Sequence, residues 1–433
     1  MNDQRLQVGI DIGQSALEVS VLQSNSEELL RQRSFANSRT GYQQLREMLL
    51  ELLQSHDYAG LDVGGEATAY YWLPLFWALR QDEALAAYDL KTYLLNPHQM
   101  YWYRLAQAEA EKTDAKDSYY LADKLRTQTR GQPWQPDPEL LRLRLYSRYR
   151  FHLGQTVSAL KNYFWALMFL KCSGYRPHAP FSDGLSACGR TLVREYSDWQ
   201  ALLDLPIEDL RDHLTACSRG RIAAPAARAK HLQALIRESF TAPTEIAPAL
   251  HDVLTLTLDR LDSLQDQIRQ VEKAMQQEVE THHRGAQCLL TVRGIGITLA
   301  AGITAEIGDL QRFFVQPKWD ARKKRYRQRN LRDVEDAVAK YAGLWWPRRE
   351  SGRFQAQDRR LSKQGNPYLR FYLVTAAERL RQHLPEYRAY YQRKYQEATT
   401  HRHKRAIVLT ARKSVGLFVG LLHRQEPYRS PEV

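Results

Sequence analysis

The sequence has few cysteines and no long uninterrupted apolar run, and both features narrow the class of protein. Its 433 residues include four cysteines, at positions 172, 188, 217 and 288, and no two of them form a Cys-x-x-Cys pair. This scatter favours a reducing, intracellular setting and argues against a zinc site. Residues 1–5 lack the apolar core of a signal peptide, and the most apolar stretch, residues 295–307, is interrupted by glycines and too short to span a bilayer. We therefore expect a soluble, cytoplasmic protein with no membrane partner.

Acidic residues are the minority among the charged residues. The chain contains 62 Lys and Arg against 49 Asp and Glu, which gives a net charge of +13. Such a surplus favours a polyanionic partner, because each phosphate that the protein neutralises releases counterions. An ordinary basic soluble protein would have the same balance, so charge alone leaves both interpretations open. The length allows two or three domains, each with its own core.

Two acids stand at the ends of predicted strands. Residues 8–22 contain alternating and β-branched apolar residues and predict a strand that turns at Gly13 into a second strand, with Asp11 at the end of the first. Glu66 follows another short predicted strand. A carboxylate is costly to bury alone and becomes favourable when a cation meets it. Glu66 taken by itself fits equally well as an acid at a helix N-terminus.

Two more acids open a predicted helix. Asp114 and Asp117 are three residues apart, so their side chains share one helix face, although acids in a first helical turn are common. With Asp11 and Glu66 they supply four carboxylates, and oxygen ligands suit Mg²⁺ or Mn²⁺. Two such ions about 3.5–4 Å apart can activate an attacking oxygen and stabilise a leaving one.

Basic residues alternate with aromatic ones in the middle of the chain. Residues 137–169 predict a helix in which they could grip phosphates and stack on bases, and a charged surface over an aromatic core is an equally good interpretation. The candidates there are Arg142, Arg144, Arg148 and Arg150. Residues 316–332 are strongly basic and predict a mobile loop or a nucleic-acid arm, with the candidates Lys323, Lys324 and Arg325.

Four further patterns concern organisation and binding. Apolar residues at heptad spacing in residues 250–275 predict a coiled coil, within the chain or between subunits, and a single amphipathic helix is the alternative. Gly294 and Gly296 form a Gly-x-Gly turn between two predicted helices, as in a helix-hairpin-helix that holds a DNA phosphate. Asn366 before Pro367 predicts a helix start. Ser351 lies in a loop near arginines, where a turn residue is the common explanation.

The order of these motifs resembles a known family. The set consists of Asp11, Glu66, Asp114-x-x-Asp117, Gly294-Ile295-Gly296, Tyr341-Ala342-Gly343-Leu344, Ser351-Gly352 and Lys363-Gln364-Gly365-Asn366-x-x-Leu369-Arg370. It is similar to the DEDD transposases of the insertion-sequence family numbered one hundred and ten, which includes the Piv DNA invertases. No single motif is specific, but the ordered set is. Residues 314–340 depart from the family pattern, since they are longer and more basic than expected.

The resemblance implies a fold of the α/β plus α class in three parts. These are a RuvC-like, ribonuclease H-type domain at residues 1–130, a helical coiled-coil connector at 131–284 and a mainly helical transposase domain at 285–433. It implies that the four acids bind Mg²⁺ (or Mn²⁺) and that Ser351 attacks a DNA phosphate to form a phosphoserine link. Expected partners are element and target DNA, a structured bridge RNA and further subunits in a tetramer built from dimers, close to the nucleoid. Nucleic-acid contacts are also expected from Arg359, Arg360, Lys363, Asn366 and Arg370.

Three other functions compete with this one. A metal-only nuclease or Holliday-junction resolvase would use water as the nucleophile and leave Ser351 structural. An actin-like sugar kinase would use Asp11-x-Gly13 and Asp62-x-Gly64-Gly65 as phosphate loops, although kinases do not call for a basic C-terminal third. A pure RNA-binding or assembly protein would use the acids only to cap helices.

Overall fold

The chain folds into two compact units that interleave along the sequence. A computed structural model describes residues 4–25, 27–55, 58–107, 114–127, 132–178, 180–181, 183–315, 317–320, 322–347, 350–351, 354–355 and 360–430. The first unit comprises residues 1–138 and 309–334, and the second comprises residues 139–308 and 335–433. The α/β class is confirmed for the first unit, and the second is mainly helical.

A mixed five-stranded sheet forms the centre of the first unit. Its strands are β1 (Arg5–Ile12), β2 (Ala16–Leu22), β3 (Glu28–Ala36), β4 (Gly60–Glu66) and β5 (Lys91–Leu95), in the order β3-β2-β1-β4-β5. The first three strands pair antiparallel, whereas β4 runs parallel to both β1 and β5. Leu6, Val8 and Ile10 on one face of β1 and Gln7 and Gly9 on the other are buried, as expected for a central strand covered on both faces.

Five helices accompany this sheet along the chain. They are α1 (Arg39–Ser55), α2 (Trp72–Gln81), α3 (Glu83–Ala86), α4 (Pro97–Ala106) and α5 (Asp114–Thr127). Helix α5 lies directly on the sheet, since a Cβ atom added at Gly9 would lie 2.0 Å from the carbonyl oxygen of Ser118. A glycine at this position of β1 is therefore what allows the helix to approach so closely.

The second unit begins with a long run of helices. They are α6 (Pro138–Lys171), α7 (Tyr175–His178), α8 (Ala187–Glu195), α9 (Ile207–Cys217), α10 (Pro225–Glu238), α11 (Ala247–His282), α12 (Arg284–Leu290) and α13 (Ile297–Ile307), with a 3₁₀ turn at Trp199–Leu203. Helices α6 to α11 share one apolar core that contains Phe164, Trp199 and Leu254. Helix α13 is buried along almost its whole length.

The heptad pattern of residues 250–275 lies on α11. Leu254 and Leu261 are fully buried in the core with residues from α6 to α10, and Met275 joins Leu143 of α6 in a second cluster. Ile268, between these two groups, is only partly buried. The described seam therefore packs within its own chain, and pairing of subunits through it stays a prediction.

Residues 309–334 contain a short hairpin rather than the expected loop. Helix α14 (Gln311–Phe314) precedes the antiparallel strands β6 (Lys318–Asp320) and β7 (Arg325–Arg327), and Trp319 pairs with Tyr326 in the register. The prediction of a mobile loop was wrong about local structure, because the dense run of basic residues gave no sign of the two short strands on either side of the turn. The use of this segment as a nucleic-acid arm stays a prediction.

The C-terminal part is helical except for a second small hairpin. It consists of α15 (Leu331–Tyr341), β8 (Glu350–Ser351), β9 (Phe354–Gln355), α16 (Pro367–His383), α17 (Pro385–Glu397) and α18 (Arg402–Arg424). The Asn366 cap is confirmed, since its side chain accepts hydrogen bonds from the amides of Tyr368 and Leu369 at 3.0 Å each. Helix α18 is the one described helix long and apolar enough to cross a bilayer, yet more than half of its apolar stretch is buried, as in a core helix.

Candidate active site

Asp11 and Glu66 lie side by side at the carboxyl ends of two central strands of the sheet. Strands β1 and β4 are parallel, and their register ends with Ile10 opposite Gly65, so the next position on each strand is Asp11 and Glu66. Neighbouring positions in register point to the same face of a sheet. Both side chains are half-buried. The sequence prediction that these two acids share a sheet edge is supported by this register.

The same face of the sheet carries α5. Side chains alternate along a strand, so Asp11 shares a face with Gly9, and Glu66 shares one with Gly64. Added Cβ atoms at Gly9 and Gly64 would meet Ser118 and Leu125 of α5, at 2.0 Å and 2.8 Å. The helix that bears the other two predicted acids therefore packs on the face from which Asp11 and Glu66 project.

Asp117 sits in the first turns of α5 and is nearly buried. Its carboxylate forms an ion pair with Arg104 of α4, whose side chain is only 14% exposed. The adjacent Ser118 Oγ lies 2.8 Å from Ser20 Oγ of β2, which fixes this turn of α5 against the sheet. The guanidinium compensates the cost of burying the Asp117 charge.

The acids of this region carry the kind of donor atom that a divalent metal requires. Their oxygen donors suit Mg²⁺ or Mn²⁺, and an ionised carboxylate has about four lone-pair positions, so an arginine on Oδ1 of Asp117 leaves capacity for a further cation. Asp114 begins α5 one turn before Asp117, but its side chain lies outside the described part of the chain. Among the described residues, no three His, Cys, Asp or Glu side chains form a ready metal cluster. The carboxylate donors of these acids fit Mg²⁺ or Mn²⁺. The assembly of all four acids into one metal site stays a prediction.

A buried acid that the sequence did not single out for this role stabilises the start of the sheet. Asp62 of β4 is fully buried and accepts two hydrogen bonds from Arg5, at 3.0 Å from Nε and 2.8 Å from Nη2. Asp62, Gly64 and Gly65 all lie inside strand β4. They therefore do not form the phosphate loop that an actin-like sugar kinase would need.

Ser351 lies in the second unit, at the end of a short strand. Its backbone pairs with Phe354 in the β8–β9 hairpin, so Ser351 is the last paired residue before the turn. Its side chain, and Gly352 and Arg359 nearby, lie outside the described residues. The nucleophilic role of this serine stays a prediction.

The Tyr-Ala-Gly-Leu and Lys-Gln-Gly-Asn motifs on either side of this hairpin lie close to one buried acid, Glu306 of α13. Glu306 is fully buried and accepts hydrogen bonds from Arg148 Nε and Nη2 at 2.7 and 3.0 Å and from Asn366 Nδ2 at 2.6 Å. The backbone N–H of Asn366 donates to the backbone carbonyl of Tyr341 at 2.7 Å. Helices α6, α13 and α16 and the end of α15 therefore meet at a single carboxylate.

Arg370 completes this junction. Its Nη1 donates to the carbonyl oxygens of Lys363 at 2.7 Å and Ala342 at 3.2 Å. Gly343 and Gly365 have φ values of +72° and +131°, which favour glycine, and a Cβ atom at Gly365 would lie 2.2 Å from the Tyr341 carbonyl. The Tyr-Ala-Gly-Leu and Lys-Gln-Gly-Asn motifs thus form one tightly packed support that precedes α16.

Two family models match the chain at the regions just described. A transposase model, DEDD_Tnp_IS110, matches residues 8–170, which include Asp11, Glu66, Asp114 and Asp117. A model of the transposase IS116/IS110/IS902 family matches residues 328–392, which include Ser351 and Asn366. Together the two matches cover more than half of the chain. The chain belongs to the IS110 family of DEDD transposases. No curated relative matches it at a significant level.

Four arginines of this transposase that were predicted to bind nucleic acid have partners within the protein. Arg142 pairs with Glu278 at 2.9 Å, Arg148 with Glu306 and Arg150 with Glu272 at 2.7 Å. Arg144 donates twice to the carbonyl of Ala305, at 3.0 and 2.8 Å. These bonds attach α6 to α11 and α13. The described contacts of these arginines are thus structural, as in the alternative interpretation of residues 137–169 as a charged helix surface. Phosphate binding by these residues stays a prediction.

The Gly-x-Gly turn of the transposase lies between α12 and α13. Gly294 has a φ of +92°, and an added Cβ atom there would lie 2.5 Å from the ring of His383 on α16. Gly296 precedes the first turn of α13 and has open space around it. The helical hairpin is present as expected. Its use for holding a DNA phosphate stays a prediction.

No direct signal in the sequence points to Glu306. It lies in an apolar helix, and its partners are 158 and 60 residues away along the chain. A charged residue near the end of an apolar stretch was the available signal, because such a residue needs a partner when it is buried.

Proposed function

We propose that this transposase cuts and rejoins DNA by a serine-dependent reaction that the acids of its first unit support with divalent metal ions. Transposase activity follows from the family. The observation that supports the finer mechanism is the in-register pair Asp11 and Glu66 on the face covered by α5, which carries Asp117. A RuvC-like fold is part of this proposal, since three antiparallel strands continue into two parallel ones in this sheet.

The proposed chemistry is a transesterification. The Ser351 hydroxyl oxygen forms a bond to the phosphorus, the bond from phosphorus to the departing sugar oxygen breaks, and that oxygen leaves with the electron pair and takes up a proton. A carboxylate of the acidic set accepts the serine proton. Bound Mg²⁺ would stabilise the negative charge that develops on the phosphate oxygens, and Asp11, Glu66, Asp114 and Asp117 would hold it. Rejoining is the reverse reaction with a different sugar hydroxyl.

A Ser351→Ala variant tests the nucleophile. Labelled element-end DNA is incubated with each protein and Mg²⁺, and covalent protein–DNA adducts are separated on denaturing gels. We expect Ser351→Ala to lose both cleavage and the adduct. Ser362→Ala, a serine that also lies between the Tyr-Ala-Gly-Leu and Lys-Gln-Gly-Asn motifs, should retain both. If Ser351→Ala still cuts while the adduct is absent from the wild type as well, a metal-only nuclease with water as nucleophile is correct.

Asp11→Asn and Glu66→Gln test the acids. We expect each to abolish strand cleavage while leaving the fold intact, and Glu47→Gln, an exposed acid of α1, to have no effect. Circular dichroism and a Mg²⁺ titration of cleavage accompany the assay. Cleavage that does not depend on Mg²⁺ or on Asp11 would favour a binding or assembly protein.

We further propose that a structured bridge RNA selects the DNA sites. The family assignment and the surplus of basic residues support it, and base pairing would supply the sequence choice that the protein itself need not make. Sequencing of small RNA that co-purifies with the protein tests it. A structured RNA encoded beside the gene is expected, whereas bulk ribosomal fragments would contradict it.

We also propose a tetramer built from dimers, acting in the cytoplasm at the nucleoid. The buried heptad positions of α11 pack within the chain, so its remaining positions or other surfaces would join the subunits. Multi-angle light scattering of the purified protein gives the mass directly, and a monomeric mass with and without RNA would refute the tetramer.

A further inference from the structure

The β6–β7 hairpin presents two aromatic rings to solvent. Trp319 is 51% exposed and Tyr326 is 67% exposed, although both are large apolar side chains. They are direct cross-strand partners, and their ring centroids are 5.2 Å apart with an interplanar angle of 67°. Cross-strand aromatic pairs stabilise a hairpin by at most about 1 kcal/mol, so this alone explains little of the exposure.

On its opposite face the hairpin forms ion pairs with one acid of α15, Asp333. Asp333 is 6% exposed, accepts from Lys318 Nζ at 2.7 Å and pairs with Arg327, the residue opposite Lys318 in the register. Asp333 and Asn330 also exchange backbone-to-side-chain hydrogen bonds of 3.0 Å at the start of α15. The arginine and lysine hold the pKa of Asp333 well below its usual range. Because side chains alternate along a strand, this anchor fixes Trp319 and Tyr326 on the outward face.

The turn between the two strands carries the charge. Arg322, Lys323, Lys324 and Arg325 are all exposed. The one acid of the hairpin strands, Asp320, accepts from the amides of Arg322 and Lys323 at 3.0 and 3.2 Å, and Lys324 adopts a φ of +49°. The carboxylate thus shapes the turn, whose basic residues Arg322, Lys323 and Lys324 follow the aromatic pair at the end of the hairpin, whereas Arg325 alternates to the opposite face.

We propose that this hairpin binds unpaired bases of a single-stranded nucleic acid, with Trp319 and Tyr326 stacking on the bases and the turn residues contacting the phosphates. Aromatic faces next to a basic groove are how proteins bind single strands without reading sequence. A duplex keeps its base faces stacked inside and would not use the aromatic pair. The hairpin lies outside the two family matches, which cover residues 8–170 and 328–392. The inference rests on the proposed function only in taking nucleic acid as the partner.

The test compares aromatic with aliphatic side chains. Trp319→Leu and Tyr326→Leu keep an apolar side chain but remove the ring, whereas Trp319→Phe and Tyr326→Phe keep a ring. Phe240→Leu, an aromatic residue that is 84% exposed elsewhere, is the matched control. Affinity is measured by fluorescence anisotropy in EDTA with labelled single-stranded RNA, single-stranded DNA of the same sequence, and the matching duplex.

We expect each Leu variant to bind single strands about five- to a hundred-fold more weakly, in line with the loss of one stacked base, and each Phe variant to stay close to wild type. Tighter binding of RNA or of DNA identifies the natural strand, and either supports the proposal. Equal affinities for the Leu and Phe variants, or an equal loss for duplex and single strands, would overturn it. Unchanged thermal melting of the Leu variants excludes a folding defect.

A charge variant separates the two parts of the surface. The double variant Lys323→Gln, Lys324→Gln should bind single strands and duplex more weakly to the same degree. Its affinity should also depend less steeply on salt concentration, since phosphate contacts are lost. The assay contains no metal and involves no strand cleavage. Normal binding by the Leu variants together with loss of cleavage in Ser351→Ala would therefore overturn the hairpin proposal alone, and the reverse result would overturn the serine mechanism alone.

Discussion

The carboxylate of Glu306 should be the most sensitive single position of the second unit. Glu306→Gln keeps the shape of the side chain but removes the charge that faces Arg148 and Asn366. The carboxylate is fully buried and the Arg148 side chain is 27% exposed, so water can relieve only part of the lost pairing. Breaking a buried pair costs about 3–5 kcal/mol, and the partial exposure of the arginine lowers our expectation to about 2–4 kcal/mol.

A double-mutant cycle isolates the interaction from the other effects of each change. Arg148→Met alone should also destabilise the protein, because it leaves the Glu306 charge buried. The double variant should recover part of the loss, with a coupling energy of about 1–3 kcal/mol between the two sites. Arg142→Met is the control, since the Arg142–Glu278 pair is more exposed, at 42% and 17%, and its loss should cost clearly less stability than the loss of the Arg148–Glu306 pair.

Urea unfolding followed by circular dichroism and by tryptophan fluorescence measures these free energies. The two probes must agree before a single value is assigned, because the chain has two units. Additive losses in the double variant would refute the idea that Glu306 and Arg148 act as a pair. A loss for Arg142→Met as large as that for Glu306→Gln would show that burial does not set the ranking.

Three further changes test the contacts around the sheet and α6. Gly9→Ala should lower the urea midpoint by an amount equivalent to about 1–3 kcal/mol, because its Cβ atom would overlap Ser118, and an unchanged midpoint would show that α5 moves freely. Asp117→Asn should cost about 1.5–3 kcal/mol by weakening a charged hydrogen bond from Arg104, and equal stability would place the arginine elsewhere. Burial lowers the pKa of Lys171 from 10.5 to about 8, so the unfolded chain binds more protons between these values and stability should rise with pH across that window. Lys171→Met should flatten this rise between pH 8 and pH 10, and a rise that persists in the variant would assign it to other groups.

The sequence was informative where the pattern was local. Alternation over residues 8–22 predicts the β1–β2 hairpin, and Asn366 before a proline predicts the start of α16, and both are confirmed. Strand β3 was missed because its residues are mostly polar and exposed, which is what an edge strand allows. The adjacency of Asp11 and Glu66 required the parallel pairing of β1 and β4, which the strand-end position of each acid only suggests.

The sequence was least informative where partners are distant. The arginines of α6 look the same whether they face solvent, phosphate or carboxylates, and Glu272 and Glu278 lie more than a hundred residues away along the chain. The basic segment near residue 320 concealed a hairpin for a related reason, since charge density is a weak guide to backbone conformation. Its one usable signal was an aromatic residue on each side of a turn, at Trp319 and Tyr326.

The placement of the partners changes what the net charge of the chain can do. Arg142, Arg148 and Arg150 are each matched by a carboxylate within the unit, so their charges largely cancel at distances beyond the pair and add little to the field that a polyanion meets. The basic residues of the β6–β7 turn, Arg322, Lys323 and Lys324, have one acid, Asp320, within their hairpin strands, and it accepts hydrogen bonds from backbone amides. We therefore expect a polyanion to be attracted more strongly to the hairpin than to these arginines of α6, although α6 looked the richer nucleic-acid surface in the sequence. Counting the carboxylates that face a basic stretch is thus a better guide to its function than counting the basic residues themselves.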